Sequence, residues 1–173
     1  MKENSSKINN SGFSLLELLI VIAILSIMLV GAVWGFNIVN NANVAKAANN
    51  FENVLDTARA QAMAKGPDAG MLTFTMVGGK LFYQMGDPAT AERIELCASA
   101  VTVSYFFSDY ASRSGGNVFA DGTTVTLIFN QDGTVRQSPP NTFTKMIFSH
   151  GSRNSEVILY TETGDNKSAM FYN

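Results

Sequence analysis

Glu17 stands alone in a long uncharged stretch: no residue from Leu18 to Phe36 carries a charge, and the next charge after Glu17 is Lys46. A carboxylate at membrane depth costs up to about 2.5–3.5 kcal/mol, so an ionisable group there points to a partner for its charge. The other residues capable of chemistry are sparse. A single cysteine, Cys97, allows no intrachain disulfide and no multi-cysteine metal site. The one histidine, His150 in the Ser-His-Gly-Ser stretch, has the chemistry of a base, but a loop position predicts a solvated ring. Glu92 and Glu95 flank Arg93, which as a pair would suit acid chemistry or calcium; a charged surface loop or short helix is the expectation. Asp132 in NQDG offers one carboxylate where a calcium loop needs several, so a turn is expected.

No known catalytic arrangement is present. The GGK at 78–80 lacks the upstream glycine of a phosphate loop, and no G-x-S-x-G elbow occurs. No His/Cys cluster has metal-ligand spacing. The chain is therefore expected to be no enzyme and to need no cofactor. With a net charge of −2, its overall balance does not single out a polyanion as partner.

What must position Glu17 is the apolar run itself. A helix of roughly 20 apolar residues crosses a bilayer, whereas a cleaved secretory signal has an apolar core of only about 7–15. Lys2 and Lys7 outnumber Glu3 ahead of the run, which places the N-terminus in the cytoplasm and the C-terminal part outside. Beyond Phe36, Val44, Ala48, Phe51, Leu55, Ala58 and Ala62 recur at spacings of four and three, one apolar stripe on a continuing helix. Gly31 and Gly35 form a small-x3-small pair, expected to be a soft point in that helix rather than a packing face. Gly66-Pro67 should end it.

From Ala69 the period changes to two. GMLTFTMV, Gly78-Gly79 and KLFYQM form a β-hairpin pattern. Further strands are expected at 101–107, 123–130, 134–138, 145–149, 156–161 and 168–172, separated by Asp-Gly and other glycine turns, with SRSGGN and PPNT as loops. One long helix followed by short strands predicts an α+β fold with an antiparallel sheet. The expected domains are 1–12, a leader; 13–36, the spanning helix; 37–66, its amphipathic continuation; and 67–173, a sheet head.

Gly12-Phe13-Ser14-Leu15-Leu16-Glu17-Leu18-Leu19, followed by the apolar run, resembles the cleavage site of type IV prepilins and pseudopilins. The resemblance implies that a prepilin peptidase cuts after Gly12 and methylates Phe13, leaving residues 1–12 behind. It also implies other pilin or pseudopilin subunits and an inner-membrane assembly platform as partners, in the membrane first and then in a filament. An amine at Phe13 would lie about one helical turn from Glu17, or meet it between staggered neighbouring helices, where a low dielectric strengthens the attraction. Glu17 is then a subunit-assembly contact. Major pilins usually carry a proline in this part of the helix; here none precedes Pro67.

LDTARAQAMAKG with the hairpin after it, and IFNQDGTVR, are similar to the H-type minor pseudopilins of type II secretion and their minor-pilin relatives in type IV pili. Two other functions stay open. One is a competence pilin that binds DNA, for which Arg113, Arg136, Lys145, Arg153 and Lys167 would form a basic face beside Tyr110 and Phe143; acids interleave them, so scattered surface charge is the expectation. The other is a signal-anchored exported module that keeps residues 1–12.

Overall fold

The structure, a computed structural model, describes residues 14–98, 100–107, 113–136 and 143–172, with residues 31–38, 40, 41 and 143 described in their backbone alone. It is α+β, with one long helix and antiparallel strands. The helix α1, Leu15–Lys65, runs through Gly31 and Gly35 without a break. It stops where expected: Gly66 takes a φ of 99°, and its N–H closes on the Ala62 carbonyl at 2.9 Å. A side chain with a Cβ is strained in that region of φ, which is why glycine sits just past the last turn. Pro67–Gly70 then forms a single 3₁₀ turn.

Two compact units divide the chain, Met1–Ile38 and Val39–Asn173. In the first, every described side chain from Ser14 to Val30 is exposed, including Leu15, Leu16, Leu18, Leu19, Ile22 and Leu25. Among the described residues no helix is long and apolar enough to cross a membrane. The uncharged run continues in sequence through residues 31–36, whose side chains lie outside the description.

The second unit holds the core. The stripe expected on the helix is buried throughout, at Val44, Ala48, Phe51, Leu55, Ala58 and Ala62, and Ala47 and Val54 widen it. Among the described residues nine strands follow: β1 Leu72–Val77, β2 Lys80–Met85, β3 Ile94–Cys97, β4 Thr102–Phe107, β5 Asn117–Val118, β6 Thr124–Leu127, β7 Phe143–His150, β8 Arg153–Leu159 and β9 Asn166–Tyr172. They form two antiparallel sheets, in the orders β3-β2-β1-β6 and β5-β4-β7-β8-β9, where one sheet was expected. Strand periodicity marks which residues pair, not which pairs join the same sheet, so this division was not legible.

The β1–β2 hairpin closes as the Gly78-Gly79 pair predicts, with both residues at positive φ and Val77 opposite Lys80. Three expectations fail locally. Residues 92–95 do not form a loop or helix alone, because Ile94 opens β3; the slip in its pairing between Leu81 and Phe82 is a bulge that lets Leu96 and Cys97 both turn inward. The strand expected at 134–138 is reduced to one bridge, Phe129 to Val135, with 137 and 138 outside the description. SRSGGN is not loop throughout, since Asn117 starts β5.

At the centre of the core the Phe51 ring lies 5.3 Å from that of Phe74 in the first sheet and 5.7 Å from that of Phe148 in the second. Phe51→Ala should therefore lower stability by about 3–5 kcal/mol, because no small neighbour can close the gap between three rings. Urea denaturation followed by circular dichroism checks this, the midpoint falling while the slope stays unchanged.

Candidate functional site

The residues with the most specific chemistry lie at the start of α1. Gly12 and Phe13 fall outside the described residues. Ser14 precedes the helix, and its Oγ accepts the Glu17 backbone N–H at 3.1 Å, while the Ser14 carbonyl accepts the N–H of Leu18 at 3.2 Å. This is an N-cap, and it satisfies one of the donors that every helix start leaves open. Ser-x-x-Glu is the sequence signature of a capping box, and SLLE carries it, a local signal beside the more conspicuous charge of Glu17. The cap puts the Glu17 carboxylate in the first turn, where the helix dipole favours a negative charge. So the position has a local electrostatic reason in addition to any partner, and the carboxylate is exposed to meet one.

Elsewhere the polar candidates resolve into structural roles. Cys97 is buried in the core, and burial pushes its thiol up to about 11, a backbone hydrogen bond with Leu81 offsetting part of this and the charge of Glu95 adding to it. His150 is not a free loop residue: it ends β7, and its Nδ1 lies 2.7 Å from the Ala100 carbonyl, which holds the ring proton on that nitrogen because a carbonyl only accepts. Glu95 pairs with Lys80 at 2.9 Å across exposed strands. Asp132 accepts from the Thr134 hydroxyl at 2.6 Å and the Thr134 N–H at 2.9 Å, and these bonds hold its carboxyl below the usual range, as in a tight turn. No group of His, Cys, Asp and Glu among the described residues could hold a metal ion.

The basic residues do not make a single-sign surface. Lys145 is buried, with its ammonium 4.7 Å from the centre of the Phe106 ring. Arg113 grips buried Glu156 through Nε and Nη2 and lies 4.5 Å over Phe171. Arg153 turns its Nη2 to the Met170 sulfur at 3.2 Å. Arg136 and Lys167 are exposed, and Tyr110 and the Phe143 side chain lie outside the description. Sequence alone could not separate buried bases from surface ones, because an outward strand position is covered or open according to what the chain lays over it.

Comparison with known families places the N-terminal segment in a class. Residues 7–33 match the family model described as the prokaryotic N-terminal methylation motif. That motif is type IV pilin-like and indicates a substrate of prepilin peptidase that assembles with other pilin subunits. No match emerges from comparison with curated proteins or with solved structures.

Two measurements follow from this geometry. Ser14→Ala should cost the helix start about 1 kcal/mol and speed amide exchange at Glu17 and Leu18, leaving residues 44–62 unaffected. Cys97 should resist iodoacetamide at about pH 8 in the native state and react on unfolding. Because its folded pKa lies above the ordinary 9.0, the unfolded chain loses this proton first, so the thiol's contribution to stability falls as pH rises from 9.0 toward about 11. A Cys97→Ala comparison across that window isolates it from the other groups that titrate there.

Proposed function

We propose that the chain is a structural filament subunit, made as a membrane-inserted precursor, cut between Gly12 and Phe13, methylated on the Phe13 amine, and drawn into a filament through its N-terminal helix. The observation that carries this is the methylation motif over residues 7–33, contiguous with an uncharged run and a single acid, Glu17. Residues 13–36 serve as the membrane anchor of the precursor, N-terminus inside, and residues 37–66 continue into the exported head. The exposed apolar side chains of Leu15 to Val30 support it, since such a surface needs lipid or neighbouring helices to cover it. So does a head whose described core residues run from Val44 to Leu159.

In this reading Glu17 sets the register between subunits. Once the leader is gone, the Phe13 amine supplies the cation, and a neighbour that misplaces it leaves a buried carboxylate alone, which is costly. The H-type minor subunit of a secretion pseudopilus or of a type IV pilus is the particular role proposed, on the likeness of LDTARAQAMAKG and IFNQDGTVR. The DNA-binding alternative draws less support, since Lys145 is buried and Arg113 is paired with Glu156, while Arg136 and Lys167 are exposed.

Intact mass and N-terminal sequencing of protein recovered from its native membrane test the reading. A chain starting at Phe13 with one added methyl group is expected; one that keeps residues 1–12 overturns it. Glu17→Ala should be inserted and cut normally yet be absent from sheared filaments, and normal incorporation would defeat the pairing role.

A further inference from the structure

The outer face of the second sheet, the one turned away from α1, carries a cavity of about 230 Å³. Its floor comes from outward positions on four strands, including Ser104 and Phe106 of β4, Ile147 and Ser149 of β7, and Asn154 of β8. Residues 113–118 form its wall. Gly116 rests directly on the Phe106 ring, where a Cβ would have no room, so the wall is seated and not merely nearby.

Three neutral polar groups line this space without partners among the described residues. Asn154 is 4% exposed; its Nδ2 donates to the Ser152 carbonyl at 3.3 Å, but its Oδ1 accepts no hydrogen bond. The Ser104 and Ser149 hydroxyls likewise make none. Ser149 sits directly opposite Asn154, and Ser104 is diagonal to Ser149, since it pairs with Ile147. Cross-strand and diagonal neighbours stand about 5 and 7–8 Å apart, a span that the substituents of one six-membered ring can bridge. Buried Phe106 and Ile147 and exposed Val118 supply apolar surface between them.

Charge decides the class of ligand. Among the described residues that line it, Arg113 alone is charged, and Glu156 already neutralises it through two nitrogens while Phe171 covers a face of the guanidinium. An ionic ligand would shed its water and find no free counter-charge among these described residues. The size is below the roughly 300–1,000 Å³ typical of drug-sized ligands, so a single ring fits. We propose that this cavity is a binding subsite for one neutral sugar ring of the N-acetylhexosamine class. Ring hydroxyls pair with Ser104 and Ser149, the acetamido group with the free Oδ1 of Asn154, and the acetyl methyl packs on Ile147 and Phe106.

Saturation-transfer NMR on the full chain in dodecylphosphocholine micelles, a detergent without a sugar headgroup, tests this with N-acetylglucosamine, glucose and glucuronate. N-acetylglucosamine should receive the strongest transfer, centred on its acetyl methyl, with a Kd on the order of 1 mM as expected of a single-ring ligand. Val118→Trp fills the mouth from a position that is 58% exposed, so it should fold normally and weaken binding about tenfold or more. Ser149→Ala should weaken it several-fold. No transfer from the neutral sugars, transfer indifferent to Val118→Trp, or preference for glucuronate would each overturn the proposal; the last would make Arg113 an anion site.

Discussion

The second unit depends on one contact: a single aromatic residue of the helix, Phe51, touches a ring from each sheet. Two separate antiparallel sheets share no ladder of hydrogen bonds, so their common hydrophobic partner must do most to hold them together. The helix stripe from Val44 to Ala62 is that partner, and it enters one core with Leu72, Phe74 and Leu81 from the first sheet and Val103, Met146, Phe148 and Val157 from the second. Burying a side chain of this size stabilises by about 1.5–3 kcal/mol, and Phe51 has the greatest share because it is fully enclosed between the two sheets.

Toward the end of the helix the same stripe narrows to alanine. Ala58 and Ala62 lie so close to Gly70 that a Cβ there would collide with both, so the chain can turn straight back from the helix into β1. On the flank of that end, Arg59 reaches Asp165 at 2.5 Å and Asp56 accepts from Asn166 Nδ2 at 2.7 Å, tying the helix to the turn between β8 and β9. Gly164 packs against the Gly133 backbone beneath Arg59, a closeness that no side chain at 164 would permit. The ion pair is half open to solvent and contributes little alone. Its worth is in fixing where the loops stop.

The two units meet opposite demands. In the first, the described apolar side chains of α1, from Leu15 to Val30, are exposed on all sides, as a segment needs when it is to be covered by lipid or by other helices. In the second, the helix hides its apolar face and shows charge. A continuous helix carries both because the change is one of side-chain pattern, not of backbone. Glu17 and Ser14 mark the boundary at the front, where a capped helix start and a carboxylate coincide.

Much of this was written in local patterns. The four-and-three spacing of Val44 to Ala62, the Gly66-Pro67 stop, the Gly78-Gly79 hairpin and the contiguous Gly12 to Leu19 motif each depend on neighbours a few residues apart, and such signals survive without a tertiary frame. The capping role of Ser14 was equally local, though masked by the more conspicuous acid three residues on. What only the tertiary structure decided concerns partners far apart in the chain: the split into two sheets, the entry of Ile94–Cys97 as a strand through a bulge against β2, the burial of Lys145 beside Phe106, and the capture of Glu156 by Arg113 across 43 residues. Whether a strand position that alternates outward meets water or another piece of chain depends on what the fold brings over it, and no periodicity encodes that.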